Sequence, residues 1–218
     1  MRTLKAENLS KTYGRKVKTV AVDGFSYTFE PGKSYAVVGP SGSGKTTLLY
    51  LLSGIEAPDS GKVFYGGEDL TAMGDDTRAR FRAQHFSFIF QQFYLVPYLN
   101  AYENVNVALY LKAGRTDRER AMDLLRSLGI EDPTKMPYEY SGGEQQRIAI
   151  ARALITDPEV IFADEPTGNL DSKNSEMVFK ILTSLASEGR TVVIATHDLD
   201  LARTCDVILR LKDGKLLR

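Results

Sequence analysis

Three short apolar runs in this chain end at polar or glycine-rich residues, which is the pattern of buried strands in a parallel sheet. They cover residues 34–38, 160–163 and 191–196. A further β-prone run at 85–90 ends at two glutamines, and residues 100–129 carry leucines at helical spacing. Strands that alternate with helices predict an α/β fold whose ligand site lies at the carboxyl ends of the strands.

Both ends of the chain show the pattern of short antiparallel strands. The first thirty residues are β-prone, and two runs, 19–22 and 25–29, lie on either side of Gly24. Residues 60–67 predict another strand and turn, and residues 207–217 predict a hairpin. We therefore expect an N-terminal antiparallel β subdomain beside a core that contains a mixed sheet.

The middle of the chain, from Phe93 to about Ile155, is largely helical and interrupts the alternation of strands and helices. Within it, residues 141–143 open a helix that runs to about Ile155. No internal repeat or long linker divides the chain. We predict a single domain over residues 1–218 with an inserted α-helical subdomain at about 93–155.

The charge and composition narrow the possible functions. The 28 basic and 28 acidic residues balance, which gives no electrostatic reason to bind nucleic acid in bulk. No apolar run approaches the ~18 residues of a membrane span, and the first residues lack the apolar core of a signal peptide. We therefore expect a cytoplasmic chain. Its single cysteine, Cys205, suits a reducing compartment, either as a small buried filler or as a nucleophile.

A phosphate-binding loop follows the first apolar run. It matches G-x-x-x-x-G-K-[ST] at every fixed position and reads Gly39-Pro40-Ser41-Gly42-Ser43-Gly44-Lys45-Thr46. Glycines let successive N–H groups point inward, and the following helix adds positive potential for an anion. Lys45 is expected to reach the β- and γ-phosphates, and the Thr46 hydroxyl to face Mg²⁺. The flanking strand and helix favour this function over a plain glycine-rich turn.

Two adjacent carboxylates close the apolar run at 160–163. In a phosphate-loop protein a carboxylate at this place, here Asp164, holds Mg²⁺. Glu165 follows directly and is placed to polarise an attacking water. An Asp-Glu pair at a strand end is often only a solvated turn. The upstream phosphate loop, and His197 at the end of the next strand, favour catalysis instead.

The other motifs resemble those of ATP-binding cassette (ABC) ATPases. One stretch of this chain is similar to the family's signature motif and reads Tyr140-Ser141-Gly142-Gly143-Glu144-Gln145-Gln146-Arg147. Four further motifs occur in the family's order along the chain. They are Tyr13, the aromatic that stacks on adenine, Gln91 after a strand, residues 168–171 as a D-loop and His197 as the switch histidine. The resemblance covers essentially all 218 residues. It implies a P-loop NTPase core that hydrolyses ATP with Mg²⁺.

The resemblance also assigns roles to individual residues. The catalytic residues are expected to be Glu165, His197 and Gln91. The metal is expected to lie against Thr46, Gln91 and Asp164. The nucleotide is expected to contact Tyr13, Gly39, Ser41, Gly42, Ser43, Gly44, Lys45, Thr46, Thr47, Ser141, Gly142, Gly143 and Asp171.

Within the family the chain is most similar to the lipoprotein-releasing and macrolide-exporter type of ATPase subunit. The stretches that carry this similarity are residues 39–49, 90–97 and 163–171. It implies a homodimer, or a dimer with a related ATPase subunit. Each ATP would lie between the phosphate loop of one copy and residues 141–143 of the other. The implied partners are integral membrane permease subunits, with the ATPase on the inner face of the cell membrane.

The chain departs from the family signature at two positions. Tyr140 stands where leucine is usual and is expected to fill the same apolar place. Glu144 stands where glutamine is usual, and two interpretations stay open. It has the spacing of a capping box with Ser141. Alternatively, its charge near the partner's γ-phosphate weakens closure of the dimer.

Residues 93–99 are too apolar for an ordinary exposed loop. One interpretation is that they pack onto the helical subdomain. The other is that they form a docking surface for a cytoplasmic helix of a permease. Because the segment adjoins Gln91, docking there would couple the permease to the nucleotide site.

Other functions within the same family differ in their membrane or nucleic-acid partners. An ABC ATPase can use closure for mechanical signalling in cell division or envelope remodelling, and only the permease would separate that function from transport. DNA-repair members carry a long coiled-coil insert, and ribosome-associated members carry two cassettes. This chain has neither feature. The transported substrate is selected by the membrane subunits, so this sequence does not reveal it.

Overall fold

The computed structural model describes residues 2–14 and 17–217 as two sheets with helices packed around them. The strands are β1 (Leu4–Tyr13), β2 (Thr19–Phe29), β3 (Ser34–Val38), β4 (Ser60–Tyr65), β5 (Glu68–Asp69), β6 (Phe86–Ile89), β7 (Val160–Asp164), β8 (Thr191–Thr196), β9 (Val207–Lys212) and β10 (Lys215–Leu217). The helices are α1 (Lys45–Leu52), α2 (Asp75–His85), α3 (Ala101–Ala113), α4 (Arg118–Ser127), α5 (Gly142–Leu154), α6 (Ser172–Ser187) and α7 (Leu199–Ala202). Within the described ranges, every helix is too short or too polar to cross a bilayer.

The central sheet has six strands in the order β10-β9-β3-β8-β7-β6. β3 is parallel to β8 and β9, β7 is parallel to β6 and β8, and β10 is antiparallel to β9. β3 and β8 are buried at every position, which explains their uninterrupted apolar sequences. The predicted α/β fold with a mixed sheet is confirmed. The carboxyl ends of β3, β7 and β8 meet at one edge of this sheet.

The predicted N-terminal antiparallel sheet is confirmed, with strand order β2-β1-β4-β5. β2 continues through Gly24, where the sequence pattern predicted a break between two strands. At Gly24 φ is +63°, and the pairing with β1 shifts register between Phe25 and Val22. Gly24 therefore forms a bulge within one strand. The antiparallel sheet and the central sheet share one core, to which Phe29 and Tyr35 both contribute.

Helices α3, α4 and α5 form a separate layer with its own apolar core. Val105, Leu125 and Ile148 are fully buried there, one from each helix. A capping box between Asn100 and Glu103 starts α3. The helix predicted to open at residues 141–143 is α5. The boundaries of this layer as a subdomain stay a prediction.

Three helices, α2, α6 and the four-residue α7, are not among the elements predicted from the sequence pattern. α2 buries none of its residues, so it has no apolar stripe. Its last residue is His85, which the sequence pattern predicts in the following strand. α6 does have such a stripe, because Val178, Phe179, Leu182 and Leu185 are buried on one face. Its apolar spacing and the acidic cap before it were signals that could have identified it.

Candidate active site

The phosphate loop joins β3 to α1 and has a backbone that glycine makes possible. Gly42 and Gly44 have φ values of +78° and +97°. A Cβ at Gly44 would lie only 1.9 Å from the carbonyl oxygen of Ala21, so no larger residue fits there. The loop therefore curls tightly enough for its N–H groups to converge on an anion.

The start of α1 supplies further N–H donors. Gly44 precedes the helix, and no side chain caps its first turn, so the first amides are open to a ligand. Lys45 is 7% exposed. Its Nζ donates to the carbonyl oxygens of Gly39 (2.8 Å) and Pro40 (3.2 Å) and lies 3.6 Å from Glu165 Oε1. The Lys45 ammonium is thus held over the loop 39–46, between the position expected for a phosphate and the end of β7.

A hydroxyl and a carboxylate meet beside this loop. The Thr46 Oγ1 donates to Asp164 Oδ1 at 3.0 Å. Burial raises the pKa of Asp164, whereas the hydrogen bond from Thr46 opposes that rise. Both groups are hard oxygen ligands of the kind Mg²⁺ prefers. In the described part of the chain, no three or more His, Cys, Asp or Glu side chains are arranged so that they alone could hold a metal ion. This small donor set fits an ion that completes its shell with phosphate and water.

Glu165 has an unusual backbone at the end of β7. Its φ is +44°, in the left-handed region that costs a non-glycine residue energy. Its N–H donates to the carbonyl oxygen of Ala195 at 2.9 Å. The carboxylate lies 2.9 Å from His197 Nδ1. This backbone turns the Glu165 side chain out of the sheet and towards the phosphate loop, opposite the exposed ring of His197.

Apart from Asp164, which lies behind Thr46, the side chains described above line one open cleft of about 610 Å³, a size that suits a nucleotide. Its lining residues are Tyr13, Thr19, Ala21, Ser41, Gly42, Gly44, Lys45, Thr46, Thr47, Gln91, Glu165 and His197. The Tyr13 ring is 40% exposed, and its hydroxyl lies 2.5 Å from Glu56 Oε2. Burial, followed by that hydrogen bond, raises the pKa of Tyr13. The aromatic ring of Tyr13 and the curled phosphate loop therefore line the same cleft.

Gln91 reaches this cleft from the end of β6. Its side chain packs so closely on Gly168 that a Cβ there would lie 2.5 Å from Gln91 Nε2. The Asn169 Nδ2 donates to the Gln91 carbonyl oxygen at 3.1 Å. The loops that follow β6 and β7 are thus in direct contact beside the phosphate seat.

Six of the residues predicted to bind nucleotide do not line this cleft, and two of them, Gly39 and Ser43, still belong to the phosphate loop. The other four are Ser141, Gly142, Gly143 and Asp171. The first three lie at the start of α5, and Asp171 caps α6 by accepting from the Asn174 N–H at 2.8 Å. A Cβ at Gly143 would lie 2.2 Å from Asn174 Oδ1. The start of α5 is therefore packed directly against the start of α6.

Both departures from the signature have structural explanations. Tyr140 is 7% exposed and belongs to the core of the helical layer, as predicted. Glu144 completes the predicted capping box: its carboxylate accepts from the Ser141 N–H (2.8 Å) and Oγ (2.6 Å). These bonds lower the pKa of Glu144. The residue is therefore an ionised cap at the start of α5.

The segment 93–99 is partly packed and partly exposed. Leu95 contacts the core of the helical layer, whereas Tyr94 is 62% and Tyr98 86% exposed. The backbone of the segment is held by helix α3, because the side-chain amide of Asn104 accepts from the Val96 N–H and donates to the Val96 carbonyl oxygen. Arg152 donates to two further carbonyls of the segment. Packing onto the helical layer thus accounts for Leu95, whereas the docking interpretation concerns the exposed Tyr94 and Tyr98.

Sequence reasoning missed several supports of the cleft. Glu56, which holds the Tyr13 hydroxyl, lies 43 positions away in a loop with no motif. Thr19 and Ala21 line the cleft from β2. No spacing rule connects these residues to the phosphate loop, because only the packing of the antiparallel sheet on the central sheet brings them there.

Comparisons with known proteins agree with this geometry. Residues 22–168 match the family model described as ABC transporter. An uncharacterized ABC transporter ATP-binding protein of Methanocaldococcus jannaschii is 42% identical over 98% of this chain and 97% of its own. The lipoprotein-releasing system ATP-binding protein LolD of Xanthomonas euvesicatoria is 42% identical over 98% of this chain and 89% of its own.

Two further relatives extend the comparison. The macrolide export ATP-binding/permease protein MacB of Chlorobaculum tepidum is 42% identical over 95% of this chain. The chain spans about a third of that relative, since it covers 32% of its length. A dimeric ATP-binding cassette solved in a post-hydrolysis state with ADP and Pi superposes with a TM-score of 0.91 at 38% identity, over 99% of this chain and 97% of that one.

Proposed function

The chain belongs to the ABC transporter family, and we propose that it is the ATPase subunit of a membrane transporter that works as an ATP-driven dimer. As a family member it is an ABC ATPase whose substrate is ATP. The observation that carries the proposal is the meeting of Lys45, Thr46 and Glu165 in one cleft, with Asp164 bonded to the Thr46 hydroxyl beside it. The cleft thus combines an anion seat, hard oxygen ligands and a carboxylate base.

In this proposal each group of residues in the cleft has its own role in ATP hydrolysis. The curled loop and Lys45 bind the phosphates, and the Tyr13 ring stacks on the base. Thr46 and Asp164, with Gln91, would hold Mg²⁺, which would supply positive charge to neutralise the phosphates. Glu165 orients the attacking water and accepts its proton. His197 holds the γ-phosphate and, through its 2.9 Å contact, fixes the Glu165 carboxylate.

A second copy completes the site. Ser141, Gly142 and Gly143 lie outside the cleft of their own chain, at the start of a 13-residue helix whose N–H groups favour an anion. In the proposed dimer they face the γ-phosphate bound by the other copy, and Asp171 contacts the partner beside that site. The dimeric form of a solved relative supports this arrangement.

The decisive experiment measures hydrolysis and assembly together. The purified chain should release phosphate from ATP only when Mg²⁺ is present, and it should sediment as a dimer with ATP but not with ADP. Hydrolysis without any ATP-dependent dimer would contradict the proposed assembly. Absence of phosphate release under all of these conditions would contradict the proposed activity.

The charge of Glu144 is expected to weaken the proposed dimer. Replacing it with glutamine keeps a residue that is competent for the capping box but removes a negative charge beside the partner's phosphates. A surface charge pair contributes about 1 kcal/mol, so Glu144→Gln should tighten ATP-driven dimerisation about fivefold. Sedimentation at low salt measures this change, and high salt should reduce the difference. Equal dimer affinities at low salt would show that Glu144 acts only as a cap.

The proposal extends to a docking surface for a permease. A groove of about 410 Å³ runs between the end of the central sheet and the helical layer, and its walls include Phe86, Phe88 and Leu111. Tyr94 and Tyr98 are exposed in the adjoining segment. Apolar exposure of this kind is typical of protein contact sites. In our proposal a permease helix occupies this surface, which places the chain on the inner face of the membrane.

Replacing the exposed tyrosines Tyr94 and Tyr98 with serine should uncouple this complex. Recovery of the permease that co-purifies with the tagged chain, and ATPase stimulation by it, should fall together by about tenfold or more. Basal hydrolysis should not change, because neither residue contacts the cleft. The matched control is Tyr138→Ser, a tyrosine that is 79% exposed elsewhere. Normal permease binding by the double variant would place the docking surface elsewhere.

A further inference from the structure

A buried glutamine connects three motifs of the site. Gln146 lies in α5, five positions after Ser141, and its side chain is fully buried. Its Nε2 donates to the carbonyl oxygen of Pro166 at 2.7 Å and, in a longer contact, to that of Phe90 at 3.4 Å. One amide group therefore contacts both of the loops that carry Gln91 and Glu165.

The two carbonyls are adjacent to the residues that act on the attacking water. Phe90 directly precedes Gln91, and Pro166 directly follows Glu165. The Phe90 carbonyl lies in the planar peptide bond to Gln91, so its position constrains Gln91 directly. The Pro166 carbonyl lies one residue beyond Glu165, and the proline ring fixes the φ of Pro166 between them, so its position constrains Glu165 through a stiff link. The strained backbone at Glu165, with φ +44°, needs such support, because strained residues persist only where their surroundings fix them.

The energetics indicate a role beyond packing. The Gln146 Oε1 is buried and has no hydrogen-bond partner among the described residues. A buried polar atom without a partner costs free energy, and an apolar side chain of the same size would avoid that cost. Features that break a local rule of stability in this way concentrate at functional sites.

We propose that Gln146 is a positioning residue that holds the loops after β6 and β7 in register with each other and with α5. It acts through Gln91 and Glu165 and does not touch the nucleotide. Because α5 begins at Ser141, a displacement of that segment reaches both loops through one side chain. The proposal rests on the ATPase function proposed above, since it takes these loops as the catalytic ones.

The neighbouring glutamine provides a matched control. Gln145 is half-buried in the same helix, and its Nε2 donates to the carbonyl oxygen of Tyr140 at 3.1 Å. That carbonyl lies outside both catalytic loops. The same substitution at the two positions therefore removes the same chemical group from α5, but only at position 146 is contact with the loops that carry Gln91 and Glu165 lost.

The test compares Gln146→Met with Gln145→Met and wild type. Methionine keeps the length of the side chain and removes the donor. For Gln146→Met we expect kcat to fall about tenfold, the effect of one positioning hydrogen bond, with KM within twofold of wild type. For Gln145→Met both constants should stay within twofold. A wild-type kcat in Gln146→Met would overturn the proposal, and so would an equal loss in both variants.

A second measurement does not depend on hydrolysis. The amides of Gly168 and Leu170 are bonded within the loop after β7, and in Gln146→Met their hydrogen exchange should accelerate about tenfold, but not in Gln145→Met. If wild type lacked ATPase activity, the proposed function would fail while exchange still decided the role of Gln146. Should Gln146→Met not fold, Gln146→Asn keeps the amide but cannot span to both carbonyls. A lower kcat with unchanged KM would support the proposal there, and a wild-type kcat would overturn it.

Discussion

Glu165→Gln is expected to slow ATP hydrolysis by about 10²- to 10⁴-fold, the usual effect of losing a general base. Glutamine has nearly the same shape but cannot accept a proton from water. Nucleotide binding should be retained, because the phosphate loop, Lys45 and Thr46 are unchanged. The ATP-bound dimer should therefore accumulate in the proposed cycle, since its dissociation depends on hydrolysis.

Two assays together test this expectation. Single-turnover phosphate release measures the chemical step, and sedimentation with ATP measures the dimer. The exposed Glu131 offers a control, and Glu131→Gln should match wild type in both assays. Phosphate release at a near-normal rate in Glu165→Gln would show that another group activates the water.

The orientation of Glu165 illustrates what a sequence can and cannot predict. Its place after an apolar run predicted a carboxylate at the edge of the sheet, and the structure places it there. Its left-handed backbone and its 2.9 Å contact with His197 depend on the pairing of β7 with β8, which brings together residues 32 positions apart. Such tertiary contacts carry no local pattern.

The elements of the fold were predictable to different degrees for the same physical reason. β3 and β8 are buried on both faces, so their sequences are continuously apolar and their ends were clear. α2 lies on the surface with no buried residue, and its sequence therefore carried no periodic signal. At Gly24 the sequence pattern predicts a break between two strands and the structure has a bulge within one, because a glycine with positive φ is common in both.

The supports of the site were the least predictable part. The phosphate loop, Asp164 and Glu165 form short motifs, and the spacing of residues within them predicts their chemistry. Gln146 and Glu56 act through one or two contacts with distant segments, and a glutamine or glutamate in a sequence gives no sign of such a contact. The motifs thus indicate the reaction, whereas the packing of the two sheets and the helical layer determines how accurately the groups are held.

Lys45→Ala is expected to weaken ATP binding by about 10²-fold or more, because each charge-assisted hydrogen bond to phosphate contributes about 1.5–3 kcal/mol. Its effect should be present with and without Mg²⁺. Thr46→Ala removes a hydroxyl that bonds Asp164 at 3.0 Å, so it should leave metal-free binding unchanged and abolish the gain in affinity that Mg²⁺ provides. The two adjacent residues are therefore predicted to fail in different ways.

Calorimetric titration of ATP, with Mg²⁺ and with a chelator, separates these two effects. Lys180→Ala, at an exposed position on α6, is the control for loss of a lysine and should bind as wild type does. Thermal melting of each variant checks the fold, since Lys45 also donates to the carbonyls of Gly39 and Pro40. If both Lys45→Ala and Thr46→Ala melt normally and respond to Mg²⁺ as wild type does, residues 39–46 do not bind the phosphates. The anion would then have to bind elsewhere in the cleft, because the curled backbone alone does not balance the charge of a triphosphate.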